Sequence, residues 1–272
     1  MSDVLLVGCG GGASAVLDNA RDSIAIRFLK INTNSSSSIP LVDDQPGTYG
    51  DEFLAWSLAV ENVDAIKEAM RGMRIVVVYA VLGGGTGTGT VPVIIQCARE
   101  CGCKVVSILG IPMQFESNRR ERALEAMPGI VGMSDRTLIL DNEIIKRFNP
   151  NVKFRNLLVV VARIIAFSVN CMAEVMEGPF FSTFPEKVYT FAYTSDMDPS
   201  NAVSHVKEAT MFATDPAYGK MIVMISSGFG PAETESIYNT VVGMTGIIPE
   251  IVKRGDKEDT KVLVFLPVRL DH

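Results

Sequence analysis

Residues 83–90 read Gly-Gly-Gly-Thr-Gly-Thr-Gly-Thr, a run in which no side chain is larger than threonine. It follows Arg74–Leu82, an apolar, β-branched stretch that predicts a buried strand. It precedes Val91–Glu100, where apolar residues recur at helical spacing with Pro92 in the expected first turn. Strand, glycine loop and helix start together present free backbone N–H groups to an anion. Glycine permits close approach, and the helix N-terminus adds partial positive charge. A tight turn without a ligand is the alternative, but so many small residues exceed what a turn needs. The expectation is a phosphate site. It is not a lysine-bearing P-loop, because no Lys or Arg lies between Arg74 and Arg99.

Other features narrow the class. The 272 residues are 47% apolar and 21% charged, which suits one large or two modest well-cored domains. A net charge of −6 argues against a nucleic-acid surface. Met1-Ser2-Asp3 leads straight into a strand pattern with no basic leader, so a cytoplasmic protein is expected. The odd set of five cysteines then reads as free thiols. Cys97, Cys101 and Cys103 lack nearby histidines and a second cysteine pair, so no metal cluster is expected. The apolar run Leu157–Met172 is short for a membrane span and carries Arg163, so it reads as a buried helix with no direct membrane insertion.

Strand and helix patterns alternate through the first half: strands at Val4–Gly8 and Ile26–Asn32, helices at Ala13–Ala20 and Asp51–Met70, and a loop over Asn34–Gly50. After the glycine run come a strand at Lys104–Leu109, a helix at Arg119–Ala126 and a short strand at Thr137–Leu140. Such alternation implies a mostly parallel α/β sheet with ligands at the strands' carboxyl ends. A long apolar helix spans Phe154–Met176, followed by a loop over Glu177–Pro185. Beyond it, strands at Lys187–Tyr193, Lys220–Ile225 and Thr260–Val268 enclose helices at Asn201–Met211 and Glu233–Val242, a smaller α/β layer. The expected organisation is therefore a nucleotide-binding domain over 1–153, a central helix over 154–176 and a C-terminal α/β domain over 177–272.

Gly8-Cys9-Gly10-Gly11-Gly12 follows the first strand and is a weak dinucleotide fingerprint. The second strand ends Lys30-Ile31-Asn32-Thr33-Asn34, without the carboxylate that would take a ribose, so the NAD reading lacks its second element. Glu116 and Arg120 stand at i,i+4 spacing, which could be a surface ion pair. Asn142 precedes an apolar helical run, as a helix N-cap would, and its amide can also pair with a purine edge.

The octapeptide resembles the phosphate-binding signature of the tubulin/FtsZ superfamily. Pro112-Met113-Gln114-Phe115-Glu116-Ser117-Asn118-Arg119-Arg120 is similar to its Pro-Phe-x-Phe-Glu-Gly-x-x-Arg stretch, and Asp141-Asn142-Glu143-Ile144-Ile145 to its Asn-Asp-(Arg/Lys)-Leu-Leu. The chain looks like a short, divergent prokaryotic (archaeal) FtsZ-like member. The resemblance implies the tubulin/FtsZ fold: a Rossmann-like GTP-binding domain, a long central helix and a smaller C-terminal α/β domain. It implies GTP or GDP as ligand, with Mg2+ as companion. Phosphate contacts fall to Gly10, Gly11, Gly12, Gly84, Gly85, Thr86, Gly87 and Thr88, with Asn34 where many relatives carry an Asp near the metal. Glu116 would meet the ribose, Arg120 would lie beside the nucleotide, Asn142 would touch guanine and Phe154 would cover the base. Where the family places an Asp for guanine, this chain has Val159, with Asn156 nearby.

The family hydrolyses GTP when a loop of the next subunit positions water with carboxylates. Here Gly178–Val188 puts Ser182, Phe184 and Lys187 at those positions and leaves Glu186 as the one carboxylate, slightly out of register. Hydrolysis is expected to be weak or lost, or rebuilt around Glu186. Phe180, Phe181 and Phe184 suit a protein–protein contact in self-assembly, or simple packing. The chain ends after its last strand pattern, so no membrane-recruiting tail is expected.

Overall fold

The computed structural model describes residues 3–42, 47–176, 180–208, 219–255 and 260–270, with Phe180 described by its backbone alone. The chain divides into two compact units, Met1–Phe167 and Ser168–His272.

In chain order the first unit contains β1 (Val4–Cys9), α1 (Gly10–Ala20), a 3-10 turn (Arg21–Ser23), β2 (Arg27–Asn32), β3 (Ile39–Pro40), α2 (Glu52–Glu61) and α3 (Val63–Met70). It continues with β4 (Ile75–Val81), α4 (Gly85–Glu100), β5 (Lys104–Ile111), α5 (Ser117–Met133), β6 (Arg136–Asp141) and α6 (Asn142–Phe148). Helix α7 (Phe154–Met176) begins here and ends in the second unit. Strand order is β3-β2-β1-β4-β5-β6, and every pairing is parallel. The near-continuous apolar strands fit this arrangement, because a parallel sheet is covered on both faces. All six residues of β1 are buried. The order reverses between β1 and β4, and such a switch point opens a crevice at the strands' carboxyl ends.

Two local expectations change. The helix predicted over 51–70 is two helices, because Asn62 leaves helical geometry (φ −104°, ψ 13°) and its side-chain amide donates to Leu41 O and Leu58 O. Helix α4 starts at Gly85, so most of the Gly/Thr run is helix and Pro92 lies two turns inside it. A glycine in a helix interior costs about 1 kcal/mol relative to alanine, and packing explains interior Gly89 as well as Gly85 at the helix start. A Cβ on Gly89 would lie 2.1 Å from Glu52 O, and one on Gly85 2.2 Å from Thr48 Oγ1. The glycines let α2 and the turn before it press against α4.

The second unit holds α8 (Phe180–Thr183), β7 (Val188–Thr194), α9 (Ser200–Glu208), β8 (Ile222–Ser226), α10 (Pro231–Thr245), β9 (Glu250–Arg254) and β10 (Val262–Pro267). Its strand order is β7-β10-β8-β9, with β10 antiparallel to both neighbours and β8 parallel to β9. Alternation along β10 sends Val264 and Leu266 to a core shared with Val203 and Val206 of α9 and Ile237 and Val241 of α10. Phe265 lies on the opposite face, stacked on Phe191 at 5.9 Å between ring centroids.

The predicted loop after α7 holds the single turn α8, and Phe184 is fully buried, edge-on to Phe265 at 4.9 Å and Tyr189 at 5.4 Å. Of the two readings left open for Phe184, contact or packing, the structure gives packing: it is a core residue. Phe181 is half-buried, and the side chain of Phe180 lies outside the described residues. Helix α7 is long and apolar enough to cross a membrane by composition, and 56% of its most apolar window is buried. Burial to that extent suits the core helix of a folded protein.

Candidate functional site

Two helices begin at the switch point. Helix α1 opens at Gly10 directly after β1, and α4 at Gly85 after the short turn that follows β4. Neither start has a side-chain cap, so their first N–H groups stay available. They converge: a Cβ on Gly10 (φ +79°) would lie 2.6 Å from Gly87 N, so only glycine fits where α1 meets α4. A recess of about 180 Å3 opens above them, lined by Cys9, Gly10, Gly11, Gly12, Gly84–Gly87, Val81, the turn Gly47–Gly50 and Arg119. Donors among the described lining residues are backbone N–H groups, the Thr48 and Thr86 hydroxyls, 3.4 Å apart, the Tyr49 hydroxyl and the Arg119 guanidinium. Among the described residues no carboxylate lines it. The chemistry is that of a polyanion site.

Supporting contacts lie one layer back. Thr88 Oγ1 accepts from Gly83 N at 2.9 Å and fixes the turn before α4. Gly83 (φ +79°) would place a Cβ 1.8 Å from Arg119 O, so glycine is required where this turn meets the start of α5. Cys9 caps the end of β1; burial pushes its thiol up to about 12 against a smaller lowering by Thr90, so it stays neutral.

A family model described as the Tubulin/FtsZ family, GTPase domain, matches residues 7–150, which hold both helix starts and the loop after β5. The chain belongs to the tubulin/FtsZ family. Cell division protein FtsZ of Aquifex aeolicus is 29% identical over 184 residues, 62% of this chain and 50% of that protein. FtsZ of Mycoplasmopsis pulmonis is 24% identical over 258 residues, 90% of this chain and 65% of that protein. The chain thus spans between half and two thirds of the length of these curated relatives. Among solved structures, an FtsZ dimer from M. jannaschii superposes with a TM-score of 0.72 at 18% identity, covering 98% of this chain and 87% of that one. The fold is that of tubulin and FtsZ.

In this family member, the structure gathers Gly10, Gly11, Gly12, Gly84, Gly85, Thr86 and Gly87 around one recess. Thr88 does not line it and instead holds the turn. Asn34 is engaged locally, its Oδ1 accepting from Ser36 Oγ (3.0 Å) and Ser37 Oγ (2.7 Å). Glu116 pairs with Arg119 rather than Arg120. Arg120 is turned away from the recess: it donates to Pro112 O and makes a bidentate pair with buried Asp141 at 2.7 and 3.0 Å. The N-cap of α6 is Asp141, which accepts from Glu143 N at 2.9 Å, so the capping role considered for Asn142 falls to its neighbour. Asn142 Oδ1 is buried without a hydrogen-bond partner. Phe154 is exposed and meets Phe115 edge-on at 5.3 Å. In the second unit, Glu186 is half-buried against Gly219.

Arg119 is the recess residue that sequence reasoning passed over. Arg119 and Arg120 are adjacent, and only the register of α5 decides which one faces the glycines. Thr48 and Tyr49 were also unassigned, since they stand near the end of the segment read only as a loop over Asn34–Gly50.

Proposed function

We propose that this chain binds a guanosine nucleotide in the recess between α1 and α4, self-associates, and hydrolyses GTP weakly or not at all. The observation that carries the reading is the convergence of two uncapped helix N-termini at the β1/β4 switch point. Their N–H groups and dipoles suit the α- and β-phosphates, with Arg119 as the one cation among the described residues that line the recess. The unpartnered Asn142 Oδ1 supports purine recognition, since a buried polar atom otherwise costs about 1–3 kcal/mol. The exposed Phe115–Phe154 pair offers an apolar surface for a base. Purified protein denatured and run on an anion-exchange column should release GDP or GTP; equal GDP and ADP affinities by calorimetry would overturn the guanine preference.

Mg2+ is expected only through the ligand. No carboxylate lines the recess, and no cluster of three His, Cys, Asp or Glu side chains occurs among the described residues. Among the described lining residues the side-chain oxygens are the hydroxyls of Thr48, Tyr49 and Thr86, so a metal would rest largely on phosphates and water. The chain's residues supply no step through it.

Weak hydrolysis is supported by the segment after α8. Phe184 is fully buried and Lys187 cannot accept a proton at neutral pH. GTP turnover measured against protein concentration should stay near background; a steep rise would favour catalysis through Glu186. Self-association is supported by the solved dimer of an FtsZ relative. A cytoplasmic, cytoskeletal role in cell division or shape is the reading most consistent with the division proteins to which the chain is similar.

A further inference from the structure

The C-terminal end of α1 and the flank of β2 border a second depression, of about 450 Å3, remote in sequence from the glycine helix α4. Among the described residues, Arg21, Arg27 and Lys30 line it against one carboxylate, Asp18. Asp18 holds Lys30 Nζ at 2.7 Å, whereas Arg21 and Arg27 have no ion-pair partner among the described residues. Asp22, next in the chain to Arg21, does not line it. The carbonyl end of α1 contributes roughly half a negative charge, leaving a local balance near +1.5 in a protein whose net charge is −6.

The third wall is serine. Ser36 and Ser37 give their hydroxyl protons to Asn34 Oδ1, which fixes the loop, while Ser38 Oγ accepts from Lys30 N at 2.9 Å and keeps its own proton to donate. Ile26 and half-buried Phe28 supply an apolar patch beside these charges. Two forked guanidiniums, an ammonium and a hydroxyl facing one space match the geometry of a tetrahedral dianion. The volume exceeds what phosphate alone fills and falls within the range of small-molecule sites.

We propose that this depression is a second, independent site for a phosphate dianion, either inorganic phosphate or the phosphate ester of a small organic molecule. Arg21 and Arg27 clamp the phosphate oxygens, Ser38 donates to a third, and Ile26 and Phe28 receive the carbon portion of an ester.

Calorimetric titration of the full chain with inorganic phosphate and with glycerol 3-phosphate tests this. The wild type and an Arg119→Gln variant of the glycine-lined recess should both bind. The Arg21→Gln/Arg27→Gln double variant should bind at least tenfold more weakly while keeping the wild-type melting temperature, since both arginines are exposed. Tighter binding of glycerol 3-phosphate assigns the site to an ester, and equal binding assigns it to inorganic phosphate. Absence of binding by the wild type, or unchanged binding by the double variant, overturns the proposal. Loss of binding in Arg119→Gln alone would return the phosphate to the first recess and overturn it equally.

Discussion

Helices α1 and α4 open in the same way, on glycine soon after a parallel strand and without a side-chain cap, yet their glycines answer to different demands. At α4 the neighbours are protein. Gly85 and Gly89 lie against Thr48, Asp51, Glu52 and Ala55, where any Cβ would collide with backbone or a short side chain. At α1 the picture splits. Gly10 is pinned by Gly87, but a Cβ on Gly11 would meet nothing within 4 Å, and Gly11 is exposed on the rim of the recess. Gly11 therefore separates the two demands: a side chain there would reach into the recess without touching the protein. Composition alone cannot separate these cases; the surroundings do.

The comparison can be broken most severely at Gly89. Gly89→Ala should cost about 3 kcal/mol through overpacking, seen as a melting temperature lower by roughly 6–12 °C. An unchanged melt would mean that α2 and α4 do not meet as closely as described. Thr88→Val should cost about 1–2 kcal/mol, because Gly83 N loses its acceptor; chemical denaturation should show this loss and its recovery in Thr88→Ser.

Gly11→Ala should leave the melt unchanged and weaken GDP binding about tenfold, near 1.4 kcal/mol. Equal affinity by calorimetry would remove α1 from the site. The smallest effect concerns Cys9. A helix start favours thiolate, whereas burial pushes this thiol up to about 12, so at pH 8 iodoacetamide should label partly exposed Cys101 first, as read by peptide mass spectrometry. Early labelling of Cys9 would show that the helix start outweighs burial.

Strand-and-helix alternation made the parallel unit legible, because β-branched runs such as 75–81 have little else to become. The apolar run over 154–176 marked α7 residue for residue. What escaped had physical causes. The start of α4 was hidden because glycine's low helix propensity is overridden by helix–helix contact. Strand β9 (Glu250–Arg254) was missed because three of its five residues are charged, as an edge strand tolerates. Arg119 was missed because adjacent arginines differ only by a rotation about α5. Phe184 could not be divided between contact and core because its segment has a loop's composition, while its ring completes an aromatic cluster with Tyr189 and Phe265.

Strands β1 and β4 lie side by side, Val4 beside Ile75, although α1, β2, β3, α2 and α3 all intervene along the chain. Closing so long an excursion carries a loop-closure cost, and the pocket between them can exist only once that pairing has formed. Until then both strands show bare edges able to pair with other chains. A ligand present during synthesis would therefore act as a latch on the nascent protein, raising the yield of folded chains before it serves any other purpose.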